Sequence, residues 1–259
     1  MTTVGFTPEM GERITTLLTD FKLTTTATEL VPRLLDVEAD EALVVVAEVL
    51  ELEAQGRMER RVDRLRRASK LPLGKTLDSL DRARVPKKVM RRIDDLARGD
   101  FLERAENVLI FGQPGVGKSH LASALGHALI ERGHSVLFAP TYQLVQQLLA
   151  ARRDLALPRA LRRLDAFDLV ILDDIGYVQQ SADEAEVLFT LMAERYERRS
   201  LLITSNLVFS EWGRIFKSPM TTAAAIDRLV HHAAILEVDR RSIRAEDAEL
   251  RQKKEKRDL

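Results

Sequence analysis

Apolar residues recur at spacings of three and four along the first part of the chain, as at Leu17 and Phe21. This spacing is typical of amphipathic helices that bury one face. The first cluster of helix-breaking residues is Leu71-Pro72-Leu73-Gly74. The pattern therefore predicts a small all-helical N-terminal domain over residues 1–70, followed by a linker and basic segment over residues 71–100.

After residue 100 the pattern changes to short continuous apolar runs separated by amphipathic segments. Continuous apolar runs indicate strands that are buried on both faces, and helices between such strands indicate a parallel sheet. The expected fold class is therefore α/β, a three-layer α/β/α domain with a central parallel sheet over residues 101–259. Its strands are expected at residues 107–111, 135–139, 168–173, 201–206 and 234–238. Helices are expected at residues 119–132, 141–153 and 183–198.

A phosphate-binding motif follows the first predicted strand. The segment Gly112-Gln113-Pro114-Gly115-Val116-Gly117-Lys118-Ser119 fits the pattern G-x-x-x-x-G-K-[ST] at every position. Its glycines allow backbone N–H groups to turn inward around phosphates, and the next helix adds the positive end of its dipole. Lys118 is expected to reach the terminal phosphates, and the Ser119 hydroxyl to bind Mg²⁺. The motif predicts a nucleotide site over residues 112–120, with His120 beside the nucleotide.

Polar residues end two of the predicted strands, where a second part of a phosphate site is expected. Asp173 is predicted to hold Mg²⁺, directly or through water, and Asp174 to act as the base that polarises the attacking water. The alternative is that one of these acids only caps the next helix. Asn206 is predicted to position water against the γ-phosphate, and the alternative is a turn-forming asparagine.

Together these features resemble the IstB-like AAA+ ATPases, which assist the transposases of insertion sequences and are related to the DnaC helicase loaders. The resemblance covers nearly the whole chain. The residues that carry it are Lys75–Asp78, Gly112–Ala122, Leu172–Asp174, Arg195–Arg198, Thr204–Asn206, Trp212 and Asp227–His232. The resemblance implies a P-loop AAA+ fold, ATP and Mg²⁺ as cofactors, and Mg²⁺-dependent ATP hydrolysis.

The resemblance also implies partners. It implies a homo-oligomer that assembles on DNA with ATP, helps a cognate transposase select target DNA, and is released by hydrolysis. Arg228 matches the family's arginine finger, which completes the ATP site of a neighbouring subunit. The alternative for Arg228 is an ion pair with Asp227 or Glu237. Two other functions stay open, a DnaC-like helicase loader and a nucleotide-gated DNA-binding scaffold with little turnover.

The chain departs from the AAA+ pattern in three respects. Too few residues follow Asp239 for a full helical lid, so a second arginine sensor is unassigned. The arginines near that point are Arg240, Arg241 and Arg244. Asp174 stands where AAA+ proteins more often carry Glu, which predicts slow turnover. Leu80 and Arg82 replace aromatic residues of relatives, which leaves the adenine pocket unassigned.

Charge is strongly segregated, although 40 Lys and Arg residues balance 40 Asp and Glu residues. Residues 1–56 contain 3 basic and 11 acidic residues, whereas residues 57–92 contain 14 basic and 4 acidic residues. Such a basic block indicates a polyanion partner, with a solvated helix face as the alternative. We predict sequence-tolerant contact with DNA, duplex favoured, by two clusters. The clusters are Arg57, Arg60, Arg61, Arg64 and Arg67, and Arg152, Arg153, Arg159, Arg162 and Arg163.

Composition excludes several classes of protein. Cys is absent, which excludes a disulfide scaffold, a thiolate zinc site and a cysteine nucleophile. The sequence shows neither a signal-peptide pattern nor an apolar run of membrane-spanning length, so a cytoplasmic protein without membrane contact is expected. The five His residues show no metal-ligand pattern, and His231 and His232 are expected to close the helix of Arg228. Trp212 is expected to anchor a loop to the core.

Overall fold

The computed structural model of the chain describes residues 7–176, 181–216, 218–240 and 242–243. The chain divides into two compact units, Met1–Asp63 and Arg64–Leu259. Within the described residues, no helix is both long and apolar enough to span a membrane.

The first unit is helical, as predicted. It contains α1 (Pro8–Asp20), α2 (Thr24–Asp36) and most of α3 (Asp40–Ser69). The Thr7 hydroxyl accepts a hydrogen bond from the Met10 N–H, which caps the first turn of α1. The residues at helical spacing form the core of this unit, in which Ile14 and Leu43 are fully buried. Their burial explains why the apolar pattern of this part of the sequence has the helical period.

The stretch from 71 to 100 differs from the predicted linker. It contains a 3₁₀ turn (Arg82–Arg84) and helix α4 (Lys87–Leu96), whose Val89 and Ile93 are buried. The chain divides between residues 63 and 64, whereas Pro72 and Gly74 only end α3. A cluster of helix-breaking residues therefore marks the end of a helix here, and the stretch that follows is packed structure of the second unit.

The second unit is built on a five-stranded parallel sheet, which confirms the predicted fold class. The strand order is β2-β3-β4-β1-β5. The strands are β1 (Asn107–Gly112), β2 (Val136–Pro140), β3 (Leu169–Ile175), β4 (Ser200–Ser205) and β5 (Ala233–Val238). Each apolar run coincides with one strand to within one or two residues, because buried parallel strands need apolar side chains on both faces.

Helices flank the sheet. They are α5 (Asp100–Glu103), α6 (Lys118–Glu131), α7 (Thr141–Arg153), α8 (Leu157–Asp165), α9 (Ala182–Arg195), α10 (Gly213–Phe216) and α11 (Pro219–Val230). Val170 and Leu172 of β3 pack in the core that α7, α9 and α11 share. Ile171, which points the other way, lies against Gly126 of α6. Successive residues of one strand thus contact opposite helical layers, because side chains of a strand alternate between the two faces of the sheet.

Trp212 joins the loop after β4 to the core, as predicted. Its side chain is fully buried, and its indole N–H donates to the Leu207 carbonyl oxygen at 3.2 Å. The rings of Phe209 and Phe216 lie 5.3 and 6.3 Å from it, centroid to centroid. This aromatic group holds the chain that leaves β4 against the helical layer.

A buried arginine connects the segments that precede β3 with the start of β4. Arg195 is 1% exposed, and its guanidinium donates to the carbonyl oxygens of Leu164, Phe167 and Ser200 at 2.8–2.9 Å. Burial lowers the pKa of Arg195 to about 10, so the group stays charged at neutral pH. Arg195, one of the residues that carry the family resemblance, therefore serves the fold.

Candidate functional site

The loop between β1 and α6 has the backbone shape that a phosphate loop requires. Gly117, the residue before α6, has φ +98°, a left-handed conformation that favours glycine. At Gly112 the backbone of β5 approaches closely, because a Cβ there would lie 2.7 Å from the Val238 carbonyl oxygen. The two glycines let the loop turn over the end of β1 and point the first turn of α6 into its concave side.

Lys118 extends back across this loop. The residue is 7% exposed, and its ammonium donates to the carbonyl oxygens of Gly112 and Gln113 at 2.9 and 3.1 Å. The positive charge is therefore held at the mouth of the loop, next to the N-terminus of α6. This combination of a helix N-terminus and an ammonium favours a polyphosphate.

A bulge at the end of β3 places two carboxylates at the same edge of the sheet as the loop. The pairing of β3 with β4 shifts between Leu172 and Ile175, and Asp174 takes a left-handed φ of +64°. A bulge redirects side chains at the end of a strand, which is common beside active sites. Asp173 and Asp174 thus lie at the carboxyl edge of the sheet, where only β4 separates their strand from β1.

Thr204 on β4 holds both aspartates in place. Its hydroxyl donates to Oδ1 of Asp173 at 2.6 Å and accepts from the backbone N–H of Asp174 at 2.8 Å. Thr204 is fully buried, and the Thr141 hydroxyl fixes the Asp173 carbonyl oxygen at 2.9 Å. Sequence reasoning missed Thr204 as a positioning residue. The signal that the sequence offers is a hydroxyl two residues before Asn206, near the end of a predicted strand.

Asn206 directly follows β4, the strand between β3 and β1. Its Oδ1 is buried and accepts no hydrogen bond from the described part of the chain. With Gly112 and Gln113, Asn206 lines a cavity of about 470 Å³ at the end of β1. A buried amide oxygen without a protein partner next to a phosphate loop is suited to hold a water or a ligand donor.

His120 contacts the chain that precedes the sheet. Its Nε2 lies 3.1 Å from the Ser79 hydroxyl and 3.3 Å from the Thr76 carbonyl oxygen. His120 thus attaches the segment of residues 74–79 to the first turn of α6. Its predicted contact with the nucleotide stays a prediction.

The chain after β5 crosses the phosphate loop. The Ile243 N–H donates to the Gly115 carbonyl oxygen at 3.0 Å. The Arg240 guanidinium donates to the Arg84 carbonyl oxygen. Three arginines are candidates for a second arginine sensor. The structure describes Arg240, whereas Arg241 and Arg244 lie outside the described residues.

Arg228 lies near the other edge of the sheet. Nδ2 of Asn107, the first residue of β1, donates to the Leu229 carbonyl oxygen at 3.2 Å. Gly112 is the last residue of β1, and a rise of about 3.3 Å per residue separates the two ends of this strand by about 17 Å. Arg228 therefore belongs to the amino edge, and the phosphate loop belongs to the carboxyl edge.

Arg228 makes weak contacts within its own chain. Its guanidinium donates to the Ala224 carbonyl oxygen at 3.3 Å and lies 5.0 Å from the ring centre of Phe189. The alternative of an ion pair with Asp227 or Glu237 is wrong, because the described chain offers Arg228 no carboxylate within 4 Å.

The two predicted DNA-binding clusters differ in how far other groups neutralise them. In the first, on α3, Arg57 and Arg60 share the carboxylate of Glu53 at 2.6 and 3.3 Å. In the second, Arg152 pairs with Asp183 and Glu186 at 3.8 and 3.0 Å. The other members of the second cluster are exposed, and they form no ion pair with an acid of the described residues. They are Arg153, Arg159, Arg162 and Arg163.

A third basic surface was not among the predicted sites. Lys87, Lys88, Arg91 and Arg92 of α4 are exposed, form no ion pair with a described residue, and line one cavity of about 870 Å³. Two of them occupy the first turn of α4, where the helix dipole disfavours cations. Lys87 and Lys88 lie four residues before Arg91 and Arg92, and this spacing places all four side chains on one helix face. The sequence alone would have allowed this prediction.

Comparison with known proteins identifies relatives. The sequence model of the IstB-like ATP binding proteins matches residues 18–252. A Sinorhizobium fredii protein named as an insertion sequence ATP-binding protein is 49% identical over 201 residues, which cover 77% of this chain and 67% of that protein. The solved structure of DnaI matches with a TM-score of 0.56 and 19% identity, over 66% of this chain and 96% of that one. The DnaC helicase loader matches with a TM-score of 0.50 and 18% identity, over 68% and 99%. The two solved structures share the fold.

Proposed function

Because the chain belongs to the family of IstB-like ATP-binding proteins, we propose that it is a Mg²⁺-dependent AAA+ ATPase that binds DNA and assists the transposase of an insertion sequence in selecting target DNA. One observation supports the proposal most strongly. The phosphate loop, the Thr204-bound Asp173 and the unpartnered Asn206 oxygen meet at the carboxyl edge of the sheet, whereas Arg228 lies near the amino edge.

The residues at the carboxyl edge fit Mg²⁺ and ATP. Ser119 and Asp173 would hold Mg²⁺, because a hydroxyl and a carboxylate are oxygen ligands of the kind that this ion prefers. Thr204 supports the fit, since its hydrogen bond of 2.6 Å fixes the orientation of the Asp173 carboxylate. When bound, Mg²⁺ would neutralise charge on the β- and γ-phosphates.

The chain's own groups would carry out hydrolysis in distinct roles. The Lys118 ammonium leaves its two carbonyl partners for the phosphate oxygens, which accept stronger, charge-assisted hydrogen bonds. Asn206 orients the attacking water through its amide, and Asp174 accepts the proton of that water. An Asp is shorter than the Glu that is more common at this position, so we expect slow turnover.

The position of Arg228 favours a shared site. An arginine near the amino edge does not reach the phosphate loop at the carboxyl edge of the same sheet, but it can face the loop of a neighbouring copy. A guanidinium supplied in this way stabilises the charge that develops on the transferred phosphoryl group. ATP would therefore act both as the substrate and as a contact between subunits of a homo-oligomer.

DNA is expected to contact exposed arginines and lysines. Arg153, Arg159 and Arg162 are exposed and have no acidic partner among the described residues, so their charge is available for phosphates. Contacts to phosphates bring affinity without base recognition, which suits a protein that binds many target sequences.

The test is a mixing experiment with Arg228→Ala and Lys118→Ala. Each variant alone should hydrolyse little ATP, because one lacks the finger and the other lacks the loop's ammonium. A mixture should regain activity, since a Lys118→Ala subunit offers its intact Arg228 to the intact loop of an Arg228→Ala subunit. Arg214→Ala serves as the control, because Arg214 is exposed and, among the residues that the structure describes, pairs only with Glu211 at 3.5 Å.

Two outcomes would contradict the proposal. No recovery at any ratio, together with loss of ATP binding in Arg228→Ala, would assign Arg228 to the structure of its own subunit. Normal assembly on DNA without turnover in the unaltered protein would instead indicate a nucleotide-gated scaffold. Adding duplex DNA and the transposase of an insertion sequence then tests the partners, with a replicative helicase offered in parallel. Binding of the helicase in place of the transposase would support the helicase loader.

A further inference from the structure

Two turns of the second unit bring three metal-binding side chains together. Glu197 follows α9, and His231 and His232 follow α11. A carboxylate oxygen of Glu197 and one ring nitrogen of each histidine all lie within 4.8 Å of one another. We propose that Glu197, His231 and His232 form a binding site for a divalent transition metal ion of the Zn²⁺ class.

The backbone at both turns is well fixed. Glu197 has a left-handed φ of +55°, which turns the chain sharply between α9 and β4. The carbonyl oxygen of His232 accepts a hydrogen bond of 2.8 Å from the N–H of Asn107 at the start of β1. His232 therefore stands on backbone that the first strand of the central sheet holds.

Neighbouring groups orient the donors. The Tyr196 hydroxyl lies 3.1 Å from Nδ1 of His231, and Nδ1 lies 4.0 Å from a carboxylate oxygen of Glu197. The Tyr196 hydroxyl restricts the His231 ring; an ion bound at Nδ1 would displace this hydroxyl, whereas an ion bound at Nε2 would keep it as an outer hydrogen-bond partner. The rings of His231 and His232 are 4.1 Å apart, centroid to centroid.

The local field favours a cation. His231 stands at the C-terminal end of α11, where the helix dipole is negative, and Glu197 adds a full negative charge. The two arginines that follow Glu197 in sequence form ion pairs with other acids. Arg198 pairs with Asp165 and Glu194, and Arg199 pairs with Asp168 at 2.9 Å.

The donor set indicates which metal. Two imidazoles and one carboxylate suit Zn²⁺, Cu²⁺ or Ni²⁺, whereas Mg²⁺ prefers oxygen ligands alone. Three protein ligands leave at least one position of a tetrahedral ion for water or for a group from outside the chain. A bound ion would tie the turn after α9 to the end of α11, the helix that contains Arg228. The site does not depend on ATP hydrolysis.

The test is a titration of the untagged full-length chain with Zn²⁺ in a non-chelating buffer, followed by calorimetry. We expect one ion per chain and at least roughly tenfold weaker binding in His231→Ala, His232→Ala and Glu197→Gln, because each removes one of three ligands. The control is His134→Ala, since His134 packs against Gly99, outside the cluster. Zn²⁺ should also raise the Tm of the unaltered chain, and a chelator should reverse this rise.

A spectroscopic readout separates a formed site from weak surface binding. Co²⁺ in place of Zn²⁺ should produce the visible absorption of a tetrahedral ion, and the three variants should lose it. Each variant should keep its circular dichroism spectrum, because all three side chains are exposed. Equal Zn²⁺ affinity in the unaltered chain and in His231→Ala would overturn the proposal, as would a Tm that does not respond to the ion. Neither result would bear on the proposed ATPase.

Discussion

Thr204→Val should weaken the Mg²⁺ site without touching an expected ligand of the ion. Valine nearly matches threonine in shape, so the change removes the hydroxyl that donates to Asp173 at 2.6 Å and accepts from the Asp174 N–H at 2.8 Å. The hydrogen bond to a charged carboxylate contributes about 1.5–3 kcal/mol. The substitution also leaves the carboxylate free to rotate, and removal of such an outer partner reduces metal affinity or activity by roughly 10–100-fold.

The assay is ATP hydrolysis as a function of Mg²⁺ concentration. We expect the concentration for half-maximal rate to rise by roughly tenfold or more in Thr204→Val. Thr204→Ser keeps the hydroxyl and should stay close to the unaltered protein, which makes it the matched control. If Thr204→Val responds to Mg²⁺ like Thr204→Ser, Asp173 does not depend on this hydrogen bond and the reasoning about the site is refuted.

Three further changes test the other parts of the site. Lys118→Ala should abolish ATP binding measured with a fluorescent nucleotide, because the loop loses its ammonium, and normal affinity would overturn the phosphate-loop assignment. Asp174→Asn should bind ATP normally but hydrolyse it at least roughly a hundredfold more slowly, leaving a long-lived assembly on DNA, and unchanged turnover would place the base elsewhere. Arg153→Ala combined with Arg162→Ala should weaken DNA binding equally for unrelated sequences and lower its salt dependence by about one unit of slope for each arginine that no longer binds a phosphate. Arg152→Ala, whose arginine already pairs with Glu186, should change the slope less, and equal effects would contradict the assignment.

The strands were predictable from sequence because their physical requirement is local. Leu109 of β1 lies between Ile203 of β4 and Ile235 of β5, and such a central strand must be apolar on both faces. The phosphate loop was predictable for a related reason, since the spacing of Gly112 and Gly117 follows from one short turn. Both features depend on residues that are close in sequence.

The features that sequence reasoning missed depend on contacts between distant segments. The hydroxyl of Thr204 on β4 binds Asp173 on the neighbouring strand β3, and the bulge at Asp174 depends on the register between these two strands. Arg152 is neutralised by acids of α9, which is visible only once α7 and α9 pack together. The packed stretch over residues 71–100 was missed because Pro and Gly predict the end of a helix and not the edge of a core.

Arg195 and Arg228 illustrate how the structure separates roles that a motif cannot. Both belong to segments that resemble the family, and both are arginines near helix ends. The guanidinium of Arg195 is 1% exposed and bound to carbonyl oxygens at 2.8–2.9 Å, so moving it would leave a charge and several acceptors unpaired in the core. Within the described part of the chain, Arg228 makes one hydrogen bond of 3.3 Å to its own helix and lies over the ring of Phe189, contacts that cost little to give up. An arginine that its own chain binds weakly gives up less when it contacts a phosphate on another chain, so these contacts favour Arg228 over Arg195 as the finger.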